Sequence, residues 1–125
     1  MASEISLQCK ATVSKTGTTI TNATSTKTLD MAGTNMFHSV LNITNSLVQI
    51  ETSFTGVSVA ANYWLWVRNQ DTLTSITLYL TNATTYPITV VPIGSMALVQ
   101  CVGGKTIYAV TAAGNAELEV MAWEV

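Results

Sequence analysis

The chain has 125 residues, of which 48% are hydrophobic and only 10% charged, with a formal net charge of -2. Disorder needs the opposite balance, and a chain of this length buries roughly two thirds of its unfolded surface, enough for a core without staples. Five Lys and Arg stand against seven Asp and Glu, and no two cations are adjacent. A phosphate-binding surface needs clustered positive charge, so nucleic acid is not an expected partner.

No apolar run approaches the roughly 18 residues of a membrane helix, so no membrane partner is expected. The opening Met1-Ala2-Ser3-Glu4-Ile5-Ser6 lacks the basic and apolar regions of a signal peptide. The chain therefore reads as made and kept in a cytosol, or in something assembled there. In that compartment Cys9 and Cys101 are expected to be two buried, inert thiols rather than a disulfide.

Period-2 alternation recurs along the chain, and no segment shows a sustained apolar repeat of 3.6. Ile5, Leu7, Cys9, Ala11 and Val13 alternate with polar residues and predict a half-buried first strand. Thr18 to Leu29, almost all Thr, Ser and Asn, reads as an exposed strand or a long loop. Met36 to Ile43 and Leu47 to Phe54 predict strands on either side of a Thr44-Asn45-Ser46 turn. Tyr63-Trp64-Leu65-Trp66-Val67 is the most apolar stretch and predicts a central strand.

Arg68-Asn69-Gln70-Asp71 reads as a turn, because Asn and Asp side chains can bond their own backbone. Ser75 to Leu80 alternates again. Pro87 and Pro92 bracket a short edge strand, since Pro cannot donate to a ladder. Gly94 introduces Ser95 to Val102, Gly103-Gly104 turns into Lys105 to Val110, and Ala112-Ala113-Gly114-Asn115 turns into Ala116 to Val125. About eight to ten short antiparallel strands at such spacing indicate an all-β fold, a two-sheet β-sandwich or barrel in a single domain over 1–125; spacing does not tell a Greek-key from a jelly-roll connection.

Chemistry-bearing residues are few. Two Cys and one His fall short of the four ligands of a structural zinc site, and neither a nucleophile elbow nor a phosphate-binding loop is present. His38 is the only histidine, and a catalytic base needs a nucleophile beside it. Glu117 and Glu119 stand two apart on a strand and so share a face, an arrangement that more often solvates a strand than does acid–base work. No catalytic residue, metal or cofactor is expected. Trp64 and Trp66 also share a face, as a covered core or interface pair or as a stacking platform for sugars. Twelve charged residues leave a surface of hydroxyl, amide and apolar groups, which suits a subunit whose faces meet other subunits.

Trp64-Leu65-Trp66-Val67-Arg68-Asn69, then Pro92-Ile93-Gly94-Ser95, Lys105-Thr106-Ile107-Tyr108-Ala109 and Ala116-Glu117-Leu118-Glu119-Val120 together resemble the small decoration (cement) proteins of tailed bacteriophages. In those sequences an acidic residue often stands where this chain has Ser95. The resemblance implies a β-sandwich or jelly-roll subunit of the virion, commonly a homotrimer, that bridges major capsid proteins on the capsid surface without catalysis. The terminal strands then become candidate docking elements, through Ile5, Leu7, Met121, Trp123 and Val125. The rival expectation is a carbohydrate-binding sandwich of a phage tail or fibre, using Trp64 and Trp66.

Overall fold

The computed structural model describes residues 5–8, 10–23, 27–29, 36–50, 54, 57–58, 60–81 and 83–124. Every regular element among them is a strand, twelve in all. The fold is all-β and antiparallel, as the alternation predicts. The chain divides into two compact units, Met1–Ala32 and Gly33–Val125. Nothing in the sequence marks that division; strand pairing does. The first four strands pair only with one another, and the two larger sheets are built wholly from the rest.

In the first unit, β1 (Ile5–Leu7) pairs with β4 (Lys27–Leu29), and β2 (Lys10–Lys15) pairs with β3 (Thr18–Ala23). The β2–β3 turn is the two-residue loop Thr16-Gly17, with φ of 45° and 79°. Positive φ at both central residues matches the right-handed twist of the flanking strands. Gly17 adopts it freely, whereas a β-branched Thr does so under strain. Thr12 and Thr21 hydroxyls meet at 3.2 Å, and Ser14 and Thr19 at 2.9 Å, laddering one face of the hairpin. The alternation of Ala11 and Val13 predicts a half-buried strand here, but every side chain of β2 is exposed. Periodicity registers that two faces differ; it does not supply a layer to cover one of them. Cys9 lies outside the described residues.

The second unit contains β5 (Met36–Ile43), β6 (Val48–Gln49), β7 (Tyr63–Asn69), β8 (Ile76–Thr81), β9 (Ala83–Val91), β10 (Met96–Cys101), β11 (Tyr108–Thr111) and β12 (Ala116–Glu124). They form two four-stranded sheets, ordered β10-β7-β12-β5 and β6-β11-β8-β9. The pairings are nested about the β8–β9 connection: β8 with β9, β7 with β10, β6 with β11, β5 with β12. The segment thus behaves as one long hairpin. Its doubling back adds the further pairs β12 with β7 and β11 with β8.

The core lies between the sheets. Ile43, Tyr63, Leu65, Val67, Leu118, Val120 and Ala122 of one sheet join Ile76, Leu78, Val91 and Ala109 of the other in a single buried cluster. Aliphatic burial of this kind is the main stabilising term, roughly 1.5–3 kcal/mol for each fully buried large side chain. Phe54 adds an edge-on ring contact with Tyr63 at 5.8 Å.

The loop after β7 is closed as its Asn and Asp predict, though Arg68 and Asn69 remain in the strand. Asp71 accepts from the backbone of Leu73 and Thr74, and Asn69 is fully buried as the anchor of the loop. Pro87 sits inside β9, which lies at the edge of its sheet. A register irregularity beside Tyr79 accommodates it, as an edge strand permits. Cys101 is buried, its thiol 4.0 Å from the Val99 carbonyl.

Candidate functional site: the outer face of one sheet

Strand parity sends alternate residues of the β10-β7-β12-β5 sheet away from the core. The register sets these outward residues in cross-strand rows. One row runs Gln100, Trp64, Trp123, Met36; the next runs Leu98, Trp66, Met121, His38; the third runs Met96, Arg68, Glu119, Val40. Apolar side chains fill most of this face. Met36 (57% exposed), Val40 (48%), Met96 (60%) and Leu98 (42%) are open to water, and Trp64, Trp66 and Met121 are half-buried beside them. Singly exposed apolar residues are ordinary, whereas a contiguous apolar sheet face marks an interaction surface.

One polar cluster sits within this face. The carboxylate of Glu119 accepts from His38 Nε2 at 3.0 Å on one oxygen, and from Gln70 Nε2 at 2.9 Å and Arg68 Nε at 3.1 Å on the other. The His38 hydrogen bond foremost, then those groups, holds the Glu119 carboxyl below its ordinary value despite an opposing desolvation. Both oxygens are therefore engaged as acceptors, which suits a fixed anion that aligns three strands. Among the described residues no group of three or more His, Cys, Asp or Glu could hold a metal ion.

His38, which alternation alone leaves free to point either way, is outward and exposed. Glu117 and Glu119 do share the outer face, and only Glu119 is tied into the cluster. Trp64 and Trp66 belong to neither extreme, being outward yet half-covered. Among the described residues the indole Nε1 atoms of Trp64 and Trp123 are buried without a hydrogen-bond partner.

The expected terminal docking residues are dispersed. Ile5 and Leu7 lie on β1, opposite Leu29 and Lys27, and Leu7 is half-buried. Met121 lies at the centre of the apolar face, between Trp66 and His38. Trp123 shares its parity but is only 4% exposed, so its removal would leave a hole rather than trim a surface. Val125 lies outside the described residues. Sequence reasoning missed Met36, Val40, Met96 and Leu98. The signal was available in Met96-Ala97-Leu98-Val99, a strand apolar on both faces, which needs cover on both. No protein-family model matches this chain, and no curated protein or solved structure matches it either.

Proposed function

We propose that this chain is a non-catalytic structural subunit of a virus particle, a capsid decoration protein that binds major capsid protein and stabilises contacts between shell subunits. The observation that carries this reading is the apolar outer face of the β10-β7-β12-β5 sheet, open to water at Met36, Val40, Met96 and Leu98, on a chain with very few charges. Docking such a face on a protein surface removes apolar area from water and leaves few ions to desolvate. The nested pairing of eight strands into two four-stranded sheets supports a jelly-roll description. That architecture recurs in viral capsid and lectin domains, so it favours the class by analogy of fold alone. Many weak copies on a lattice reinforce one another, so a modest face suffices for a durable coat.

The test is binding of the purified protein to undecorated capsids. Met96→Asp/Leu98→Asp changes two exposed side chains, so it leaves the fold intact. It is expected to abolish capsid binding, and retention of wild-type binding would overturn the reading. The outward Trp66, with Arg68, Glu119 and His38 close by in register, favours a second reading as a carbohydrate-binding module of a tail or fibre, since aromatic faces stack on sugars. Saturable quenching of tryptophan fluorescence by a glycan, lost in Trp66→Ala, would decide for it.

A further inference from the structure

The β2–β3 hairpin is a structure without cover. Its described side chains from Lys10 to Thr21 are all exposed, and two-stranded hairpins are marginal in water by themselves. Its faces differ. One carries the Thr12–Thr21 and Ser14–Thr19 hydroxyl ladder. The other carries Val13 directly opposite Ile20, 64% and 65% exposed, with Ala11 and Lys15 on the same side by parity. Residues 10–23 contain two lysines and no acid. Residues 33–125 contain Arg68 and Lys105 against Glu51, Asp71, Glu117, Glu119 and Glu124, a net charge of -3.

We propose that this hairpin is an arm that docks on a second copy of the chain, its Val13–Ile20 face lying on the apolar outer face of that copy's β10-β7-β12-β5 sheet. The proposal rests on the reading of that sheet face as a protein interface and assigns part of it to a second copy, since two strands about 10 Å wide leave the remainder of the face for a shell protein. Charge decides among the choices. Hairpin against hairpin through the Val13–Ile20 faces would set the two Lys15 side chains together, and sheet face against sheet face would set the two Glu117 carboxylates together, Glu119 being held already by Arg68 and His38. Hairpin against sheet can instead set Lys15 of the arm beside Glu117 of the face, which joins opposite charges. The dimensions agree. Six-residue strands are about 20 Å long, and four strands side by side are about 19 Å across. An arm-to-face contact is not self-complementary, so it gives a closed ring where the rotation between copies closes and a filament where it does not; the assembly expected here is the closed ring of two or three.

Light scattering after size exclusion tests this with two variants that alter only exposed side chains. The wild type is expected at two or three times 13.3 kDa. The arm variant Val13→Asp/Ile20→Asp and the face variant Met96→Asp/Leu98→Asp are each expected to run as monomers with unchanged circular dichroism. An equimolar mixture of the two is expected at twice the monomer mass, because one still has a working face and the other a working arm. Lys15→Glu and Glu117→Lys should each weaken association at low salt, and the two combined in one chain should restore it. An arm variant that keeps the wild-type mass while the face variant dissociates would overturn the hairpin as occupant and leave the interface reading standing. A wild type that is monomeric at all concentrations would overturn the arm exchange, with capsid binding then deciding the interface reading separately.

Discussion

Asn69 is the buried polar residue on which the two sheets depend most directly. It ends β7 fully buried. Its side-chain amide donates to the Thr74 carbonyl at 2.9 Å and the Val91 carbonyl at 3.1 Å. Its Oδ1 accepts the Asp71 backbone N–H at 2.9 Å. Val91 belongs to β9, in the opposite sheet, so one side chain ties a loop and two layers together. Asn69→Leu fills similar space and removes all three bonds. Each bond is worth about 1 kcal/mol net, and each orphaned buried group costs about 1–3 kcal/mol. The expected loss is therefore about 3 kcal/mol or somewhat more. For a unit of this size it lowers Tm by on the order of 15 °C. Urea unfolding followed by tryptophan fluorescence measures it. A loss below about 1 kcal/mol would refute the reasoning, because it would mean that the freed groups find other partners at no cost. Asn69→Asp is a sharper control. It keeps the Asp71 contact but turns a carboxylate toward two carbonyls, which raises its folded pKa above the unfolded value. Its instability relative to wild type should therefore grow as pH rises through the unfolded value and shrink in acid.

Glu119, with its carboxyl held below the ordinary value of 4.5 by His38, Gln70 and Arg68, contributes stability that is present above that value and lost as pH falls through its folded pKa. Glu119→Gln should remove this dependence, so the urea midpoints of wild type and variant should differ more near pH 6 than near pH 3; an equal difference at both would count against the cluster. Gly103→Ala should destabilise by about 1–3 kcal/mol, because a Cβ there would overlap the Ala60 carbonyl; an unchanged thermal midpoint would mean that this chain segment moves freely. Thr16→Asn, at a positive φ that Asn tolerates better than a β-branched residue, should stabilise the β2–β3 hairpin by about 0.5–1 kcal/mol, read as slower amide exchange in β2 and β3.

The strands of the second unit were largely legible because one face of each is core, and burial imposes alternation. Met36 to Ile43 coincides with β5, Tyr63 to Val67 falls within β7, and the last strand begins at Ala116. Of the strand predicted from Leu47 to Phe54, Val48–Gln49 is β6 and Leu47, Ile50 and Phe54 are not strand, while residues 51–53 lie outside the described residues; apolar content does not reveal how far a neighbour extends. The division after the first strands was illegible for the same reason. Pairing between β1 and β4, more than twenty residues apart, depends on tertiary closure that no local pattern encodes. The candidate face was half legible. Trp64 and Trp66 on a common side and Glu117 with Glu119 were readable from parity, whereas their assembly with Met36 and Leu98 required knowing that β5 and β10 flank β12 and β7.

β12 carries both stories on one strand, and its parity separates them. Ala116, Leu118, Val120 and Ala122 face the core and are buried, so truncating Leu118 should cost about 2–5 kcal/mol of stability. Glu117 and Met121 face outward without the ties that make Glu119 a stabilising group, so their side chains contribute little to folding and much to whatever the face meets. A charge introduced at Met121 therefore belongs to a different experiment from an alanine at Leu118. The first should alter the assembled mass at constant unfolding midpoint, and the second should lower the midpoint of a chain that still assembles while folded. Trp123 breaks the rule, outward by parity yet nearly covered. Both effects should appear together there. That mixed response, against clean separation at its neighbours, is what the proposed interface, built on the back of a core strand, requires.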